Sequence, residues 1–188
     1  MCKAMALFHA FTGSDSTSSF KFKGKRFCWN VSNDMPELIF ASIADNPFNI
    51  SPELKDIAFR FVCNLYLKES PENGDVDQTR MRVFSHRTRD VERIPPTSDA
   101  LSQHLERSVF QASIWISAHK AMMPPLNPID YGWLEKDGKL VPKWITLPLA
   151  RDVFSLDVKC TCTLTCSSCK CKKANLKCSR LCKCKCPM

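Results

Sequence analysis

The sequence predicts a mostly α-helical body with one small β-hairpin, followed by a small irregular zinc-cluster module. Three observations predict it. Apolar residues recur at helical spacing through residues 1–150, behind recognisable caps. One Asp-Gly pair sits between two short apolar runs. Nine of the 12 cysteines crowd into residues 158–188.

Residues 2–11 read as a short helix starting almost at Met1 with no cap before it, as if the chain entered the middle of a longer fold. Thr12–Ser19 reads as a polar loop, and a helix is expected over about 25–32. Asp34 is expected to cap a further helix with Pro36 and Glu37 in its first turn and Leu38, Ile39, Ile43 and Ala44 as its apolar residues.

The clearest helix spans 52–68. Ser51 is its N-cap, Pro52 takes the first position and Glu53 faces the positive end of the dipole. Leu54, Ile57, Ala58, Phe61, Val62 and Leu65 form one stripe at three- and four-residue intervals. A basic helix is expected over 78–90. After Pro95-Pro96, Thr97 or Ser98 caps a long helix to about Lys120, burying Leu101, Leu105, Val109, Ala112 and Ile116, with Trp115 beside them. Pro124, Pro125 and Pro128 then break helix. Lys136-Asp137-Gly138-Lys139 turns a hairpin whose second strand holds Pro142, a mark of an edge. Residues 151–158 read as a linker and 159–188 as the cysteine module.

The formal charge of +8 lies entirely in the tail, since residues 158–188 hold eight basic side chains and no acidic one. A neutral body excludes a uniformly basic, histone-like protein. The concentration of cysteine excludes a disulfide scaffold running the whole length. No apolar run approaches the roughly 18 residues of a membrane span, so no membrane partner is expected. The first residues lack a secretory cleavage pattern, which predicts an intracellular chain with reduced thiols available to metal. The lysines among the cysteines agree, because cations stabilise thiolates.

The tail reads Cys160-x-Cys162-x3-Cys166-x2-Cys169-x-Cys171-x6-Cys178-x3-Cys182-x-Cys184-x-Cys186. Four-ligand fingers do not divide nine. Three tetrahedral zinc ions need roughly twelve bonds, which nine thiolates supply if six bind once and three bridge. A metal-storage chain rich in Lys-Cys pairs and a disulfide tail are the alternatives. Leu164, Leu176 and Leu181 favour the cluster, being packing residues that storage chains rarely keep. With nine thiolates (−9) and three Zn²⁺ (+6), the eight basic residues leave the tail at about +5, a charge that attracts phosphate.

These nine positions resemble the tesmin-like CXC domain, the cysteine-rich module also found before SET domains in chromatin methyltransferases. Cys169-Lys170-Cys171-Lys172-Lys173, Cys178 and Cys182-Lys183-Cys184 match its second half. The resemblance implies three zinc ions held by all nine cysteines, and a DNA-binding, nuclear protein. DNA is preferred to RNA as the partner. Lys170, Lys172, Lys173, Lys177, Arg180, Lys183 and Lys185 are the expected nucleic-acid contacts. Two departures stand out. Ser168 replaces the Tyr that reads the minor groove in DNA-binding members, and a single residue separates Cys184 from Cys186. Contact is therefore expected to run mainly through phosphates. The family's usual second copy is missing here.

Phe8-His9-Ala10-Phe11-Thr12-Gly13-Ser14-Asp15, with Gly24-Lys25-Arg26 beyond, is similar to the Gly-Ser/Cys-Asp loop of flap-type structure-specific nucleases. That resemblance implies Asp15 as a metal carboxylate and Lys23, Gly24, Lys25 and Arg26 as phosphate contacts. The other reading of the loop is an Asx-turn capped by Asp15. Two-metal chemistry needs several carboxylates together, and the family's strand-borne aspartates would precede Met1. This chain alone is expected to lack catalysis, with Asp15 its one weak catalytic candidate.

Pro95-Pro96-Thr97-Ser98-Asp99-Ala100-Leu101, Gln111, Trp115, Tyr131-Gly132-Trp133 and Trp144, followed by the cysteine tail, resemble uncharacterised animal proteins derived from mobile elements. This supports the domain order.

His9, His86, His104 and His119 form no ligand spacing, and His104 reads as a structural histidine near the apolar face of its helix. Cys28 and Cys63 sit in apolar contexts and read as buried thiols; Cys2 is uninformative. Arg80, Arg82, Arg87, Arg89 and Arg93 read as a solvated face, with a second nucleic-acid contact as the alternative. The sequence thus predicts a zinc-binding protein with a nucleic-acid-binding tail. A nuclease remnant built around Asp15 is one alternative. The other is a chromatin or protein-docking module with purely structural zinc.

Overall fold

A computed structural model describes residues 2–35, 49–67, 74–86, 91–122, 125–146, 160–162, 169–173 and 183–184. The chain divides into two compact units, Met1–Thr146 and Leu147–Met188. The architecture is mostly helical, with one two-stranded antiparallel hairpin and a cysteine cluster near the C-terminus.

In the first unit, α1 (Cys2–Phe11) packs chiefly against α5 (Ser98–Ser117), while α3 (Pro52–Tyr66) touches α2 (Lys25–Asn33), α4 (Val76–His86) and α5. The predicted caps form. The Leu54 N–H donates to Ser51 Oγ at 3.1 Å, and the Ala100 N–H donates to Thr97 Oγ1 at 3.3 Å. Each satisfies a backbone donor that the first helical turn leaves open. The α3 stripe is buried apart from half-buried Ile57, and Leu101, Leu105, Val109 and Ala112 of α5 close on it. Aromatic rings fill the space between elements edge-on. Phe11 and Phe20 centroids lie 5.5 Å apart, and those of Phe8 and Trp29 lie 5.4 Å apart.

Asp34 departs from its expected role. Its helical backbone (φ −74°, ψ −5°) makes it the C-cap of α2, whereas an N-cap takes extended backbone. The helix expected from Pro36 onward lies outside the described residues, as does the 151–158 linker. The basic helix expected over 78–90 is described as Val76–His86, and the long helix ends at Ser117.

The hairpin joins β1 (Trp133–Lys136) to β2 (Lys139–Pro142), with Trp133 opposite Pro142 and Lys136 opposite Lys139. Asp137 (φ 53°) and Gly138 (φ 70°) both take left-handed backbone, the condition of a tight two-residue turn matching strand twist. Arg107 ties the hairpin's base to α5, its Nη1 donating to the carbonyls of Gly132 (3.2 Å) and Lys143 (3.1 Å). No described helix is long and apolar enough to cross a membrane.

Candidate metal centre

In the second unit, the Sγ atoms of Cys160, Cys169 and Cys171 all lie within 4.8 Å of one another, and all three residues are buried. Half-buried Cys162 and Cys184 pack against them. Thus every described cysteine of the tail joins one cluster. The spacing follows from local structure. Residues Lys170–Lys173 form a single helical turn, α6, preceded by Cys169. The Lys172 N–H donates to Cys169 Sγ at 3.4 Å, so the sulfur fills the place an N-cap oxygen takes in longer helices. The Lys173 N–H closes the turn on the Cys169 carbonyl at 3.0 Å. The Lys183 N–H donates to the Cys160 carbonyl at 3.2 Å, joining the first and last described pieces of the tail.

This donor set can hold a metal ion. Sulfurs about 3.8 Å apart are what a tetrahedral ion with bonds of about 2.3 Å requires. An N–H aimed at sulfur favours the thiolate, the ligating form. In the first unit burial pushes the Cys28 and Cys63 thiols up, outweighing a backbone N–H at each and the Thr79 hydroxyl at Cys63, which act the other way. Lys172, Lys173 and Lys183 are exposed beside the cluster, where a cationic surface is available to an anion. Of Lys170 only the backbone is described. Cys166, Cys178, Cys182, Cys186, Lys177, Arg180 and Lys185 lie outside the described residues.

The Gly-Ser-Asp loop is held by contacts of its own. Gly13 has φ +110°, and a Cβ there would lie 2.5 Å from the Ser19 Cβ; only glycine fits both demands. The loop closes through paired Ser14 and Thr17 backbone bonds (3.1 and 3.4 Å), and Thr17 Oγ1 donates to the Ala10 carbonyl at 2.6 Å. Lys25 Nζ donates to the His9 carbonyl (3.0 Å), Thr12 Oγ1 (3.0 Å) and the Gly13 carbonyl (2.6 Å). It therefore caps the C-terminus of α1, where carbonyls lack helical partners. Asp15 is exposed and belongs to no group of three potential ligands among the described residues. Lys23 lies over the rings of Phe27 and Tyr66, 4.8 Å from each centroid, and Arg26 is exposed.

His104 is buried, with Nε2 2.8 Å from the Phe11 carbonyl oxygen. Burial pushes its pKa down to about 4, with the Phe11 bond opposing and Arg107 adding to the drop. The arginine run divides. Arg80 donates to the Pro95 carbonyl, Arg93 stacks 4.7 Å over the exposed Phe22 ring, Arg82 is exposed, and Arg87 and Arg89 lie outside the described residues.

No protein-family model, curated protein or solved structure matches the chain.

Proposed function

We propose that the second unit is a three-zinc cluster of shared cysteine thiolates whose basic surface binds nucleic acid, DNA in preference to RNA, through phosphates in the nucleus. The observation that carries this reading is the convergence of Cys160, Cys169 and Cys171 within 4.8 Å. These residues come from two separate stretches of chain, and burying three thiols together has no obvious packing purpose in so small a unit. The ligand count supports shared zinc. The nine cysteines, Cys160 through Cys186, provide the twelve bonds of three ions only by bridging. Zinc would supply the cross-links that a 42-residue unit (Leu147–Met188) needs in place of a large apolar core.

Phosphate binding follows from charge. Lys172 and Lys173 sit exposed on the turn that carries Cys171, so metal binding and the cationic surface share one scaffold. A fluorescence-anisotropy titration of the zinc-loaded full chain against duplex DNA over a range of salt tests this. Affinity should fall steeply with salt, and Lys172→Glu with Lys173→Glu should weaken binding at least tenfold and flatten the salt slope by about two. Unchanged binding by that double variant, with zinc content retained, contradicts phosphate contact at this turn.

A further inference from the structure

The segment Phe20-Lys21-Phe22-Lys23 leaves the core of the first unit through a tight turn. Phe20 is buried against Phe11, and the Lys23 N–H donates to the Phe20 carbonyl at 2.9 Å. The third residue of this turn, Phe22, has φ 62°. Glycine or asparagine ordinarily takes left-handed backbone at that place, because a Cβ crowds it. A bulky side chain there is strained. Core packing does not offset the strain, since the Phe22 side chain is 63% exposed.

The groups over its ring are cations. The Arg93 guanidinium lies 4.7 Å from the ring centroid and Lys21 Nζ lies 5.5 Å from it. A second exposed ring, Phe27, stands in the first turn of α2, with Lys23 Nζ 4.8 Å from its centroid. Two exposed rings on one short piece of chain thus each carry a cation. Lys21, Lys23 and Arg93 outnumber the carboxylate at this surface, Glu92, which pairs with Lys21.

Neither the strained turn nor the exposed rings gain anything from water. A partner with flat, accessible faces and repeated negative charge uses both. Unpaired bases stack on phenyl and guanidinium planes while their phosphates meet the cations. A duplex offers the charge with its base faces already stacked on each other, and an acidic peptide offers the charge without the rings.

We propose that Phe22, with Arg93 over it, and Phe27 form a stacking platform for single-stranded nucleic acid, with Lys21 and Arg93 beside its phosphates. The platform belongs to the first unit and does not rest on the zinc reading of the tail. Single strands of DNA and of RNA share this chemistry.

Anisotropy titrations of the full chain carrying Lys172→Glu and Lys173→Glu, which weaken the tail's own contribution, test the proposal. The probes are oligothymidylate, oligouridylate, an abasic strand of the same length and a duplex, with polyglutamate as competitor. Oligothymidylate or oligouridylate should bind at least fivefold more tightly than the abasic strand, and the tighter of the two identifies DNA or RNA as the source. Phe22→Gly should lose at least fivefold in single-strand affinity and leave duplex affinity unchanged. Its urea midpoint should be no lower than the parent's, because glycine takes left-handed backbone freely. Phe22→Trp should retain single-strand affinity. Arg93→Ala should weaken single strands and flatten their salt slope by roughly 0.7. The proposal is overturned if the abasic strand binds as tightly as both base-bearing strands, if polyglutamate competes as well as unlabelled oligothymidylate and oligouridylate, or if folded Phe22→Gly keeps the parent's single-strand affinity.

Discussion

The backbone N–H of Lys172 points at Cys169 Sγ across 3.4 Å, so the residue that offers a cation to solvent also steadies a buried sulfur. One helical turn thus joins the two chemistries assigned to the tail. Cys169 and Cys171 face the cluster while Lys172 and Lys173 face water.

This arrangement separates the tail thiols from those of the first unit. Cys171→Ala should lower metal content and make the tail susceptible to protease, because one missing ligand disturbs every ion that shares its neighbours. Cys28→Ala should leave metal content unchanged, since Cys28 is a buried thiol of the first unit whose Sγ contacts the Lys23 carbonyl at 3.5 Å. Chelator should expose the wild-type tail to protease in the same way. Inductively coupled plasma measurement and limited proteolysis check these outcomes.

Lys25 is the second test. Its three bonds cap α1 and close the Gly-Ser-Asp loop. Lys25→Met retains the aliphatic stem and removes the donors, so it should cost about 1–2 kcal/mol of stability. Urea denaturation followed by tryptophan fluorescence measures it. If Lys25 served DNA rather than the fold, the midpoint would stay put and DNA affinity would drop.

His104 makes the first unit acid-sensitive in a defined window. Its folded pKa of about 4 lies below the unfolded value of 6.5. Between these values the unfolded chain binds the proton and the folded one does not. The stability contribution is therefore complete above pH 6.5, falls as pH drops toward 4 and levels off below it. The full loss is on the order of 3 kcal/mol. Urea midpoints read by tryptophan fluorescence at pH 7 and pH 5 should differ clearly in the wild type. In His104→Asn they should differ much less.

Much of this fold is legible in the sequence because its signals are local. Ser51-Pro52-Glu53 and Thr97 declare their helices through chemistry complete within one turn, and Asp137-Gly138 declares the hairpin through left-handed backbone. The cysteine cluster is legible for a related reason: its spacing is dense enough to be a pattern. Lys25 illustrates the limit. A lysine after Gly24 suggests a phosphate contact, and only the approach of α2 to the end of α1 reveals the carbonyls it caps. His104 is less legible still: no periodicity announces that it and Gln103 will each bury an acceptor that has no hydrogen-bond partner among the described residues.

The central claim rests on metal stoichiometry. Native mass spectrometry of the full chain, purified under reducing conditions with zinc present and checked by elemental analysis, measures it directly. The account predicts three zinc ions per chain, removed together by a strong chelator and lost in part by Cys160→Ser. One zinc per chain, or none with all thiols reduced, contradicts it.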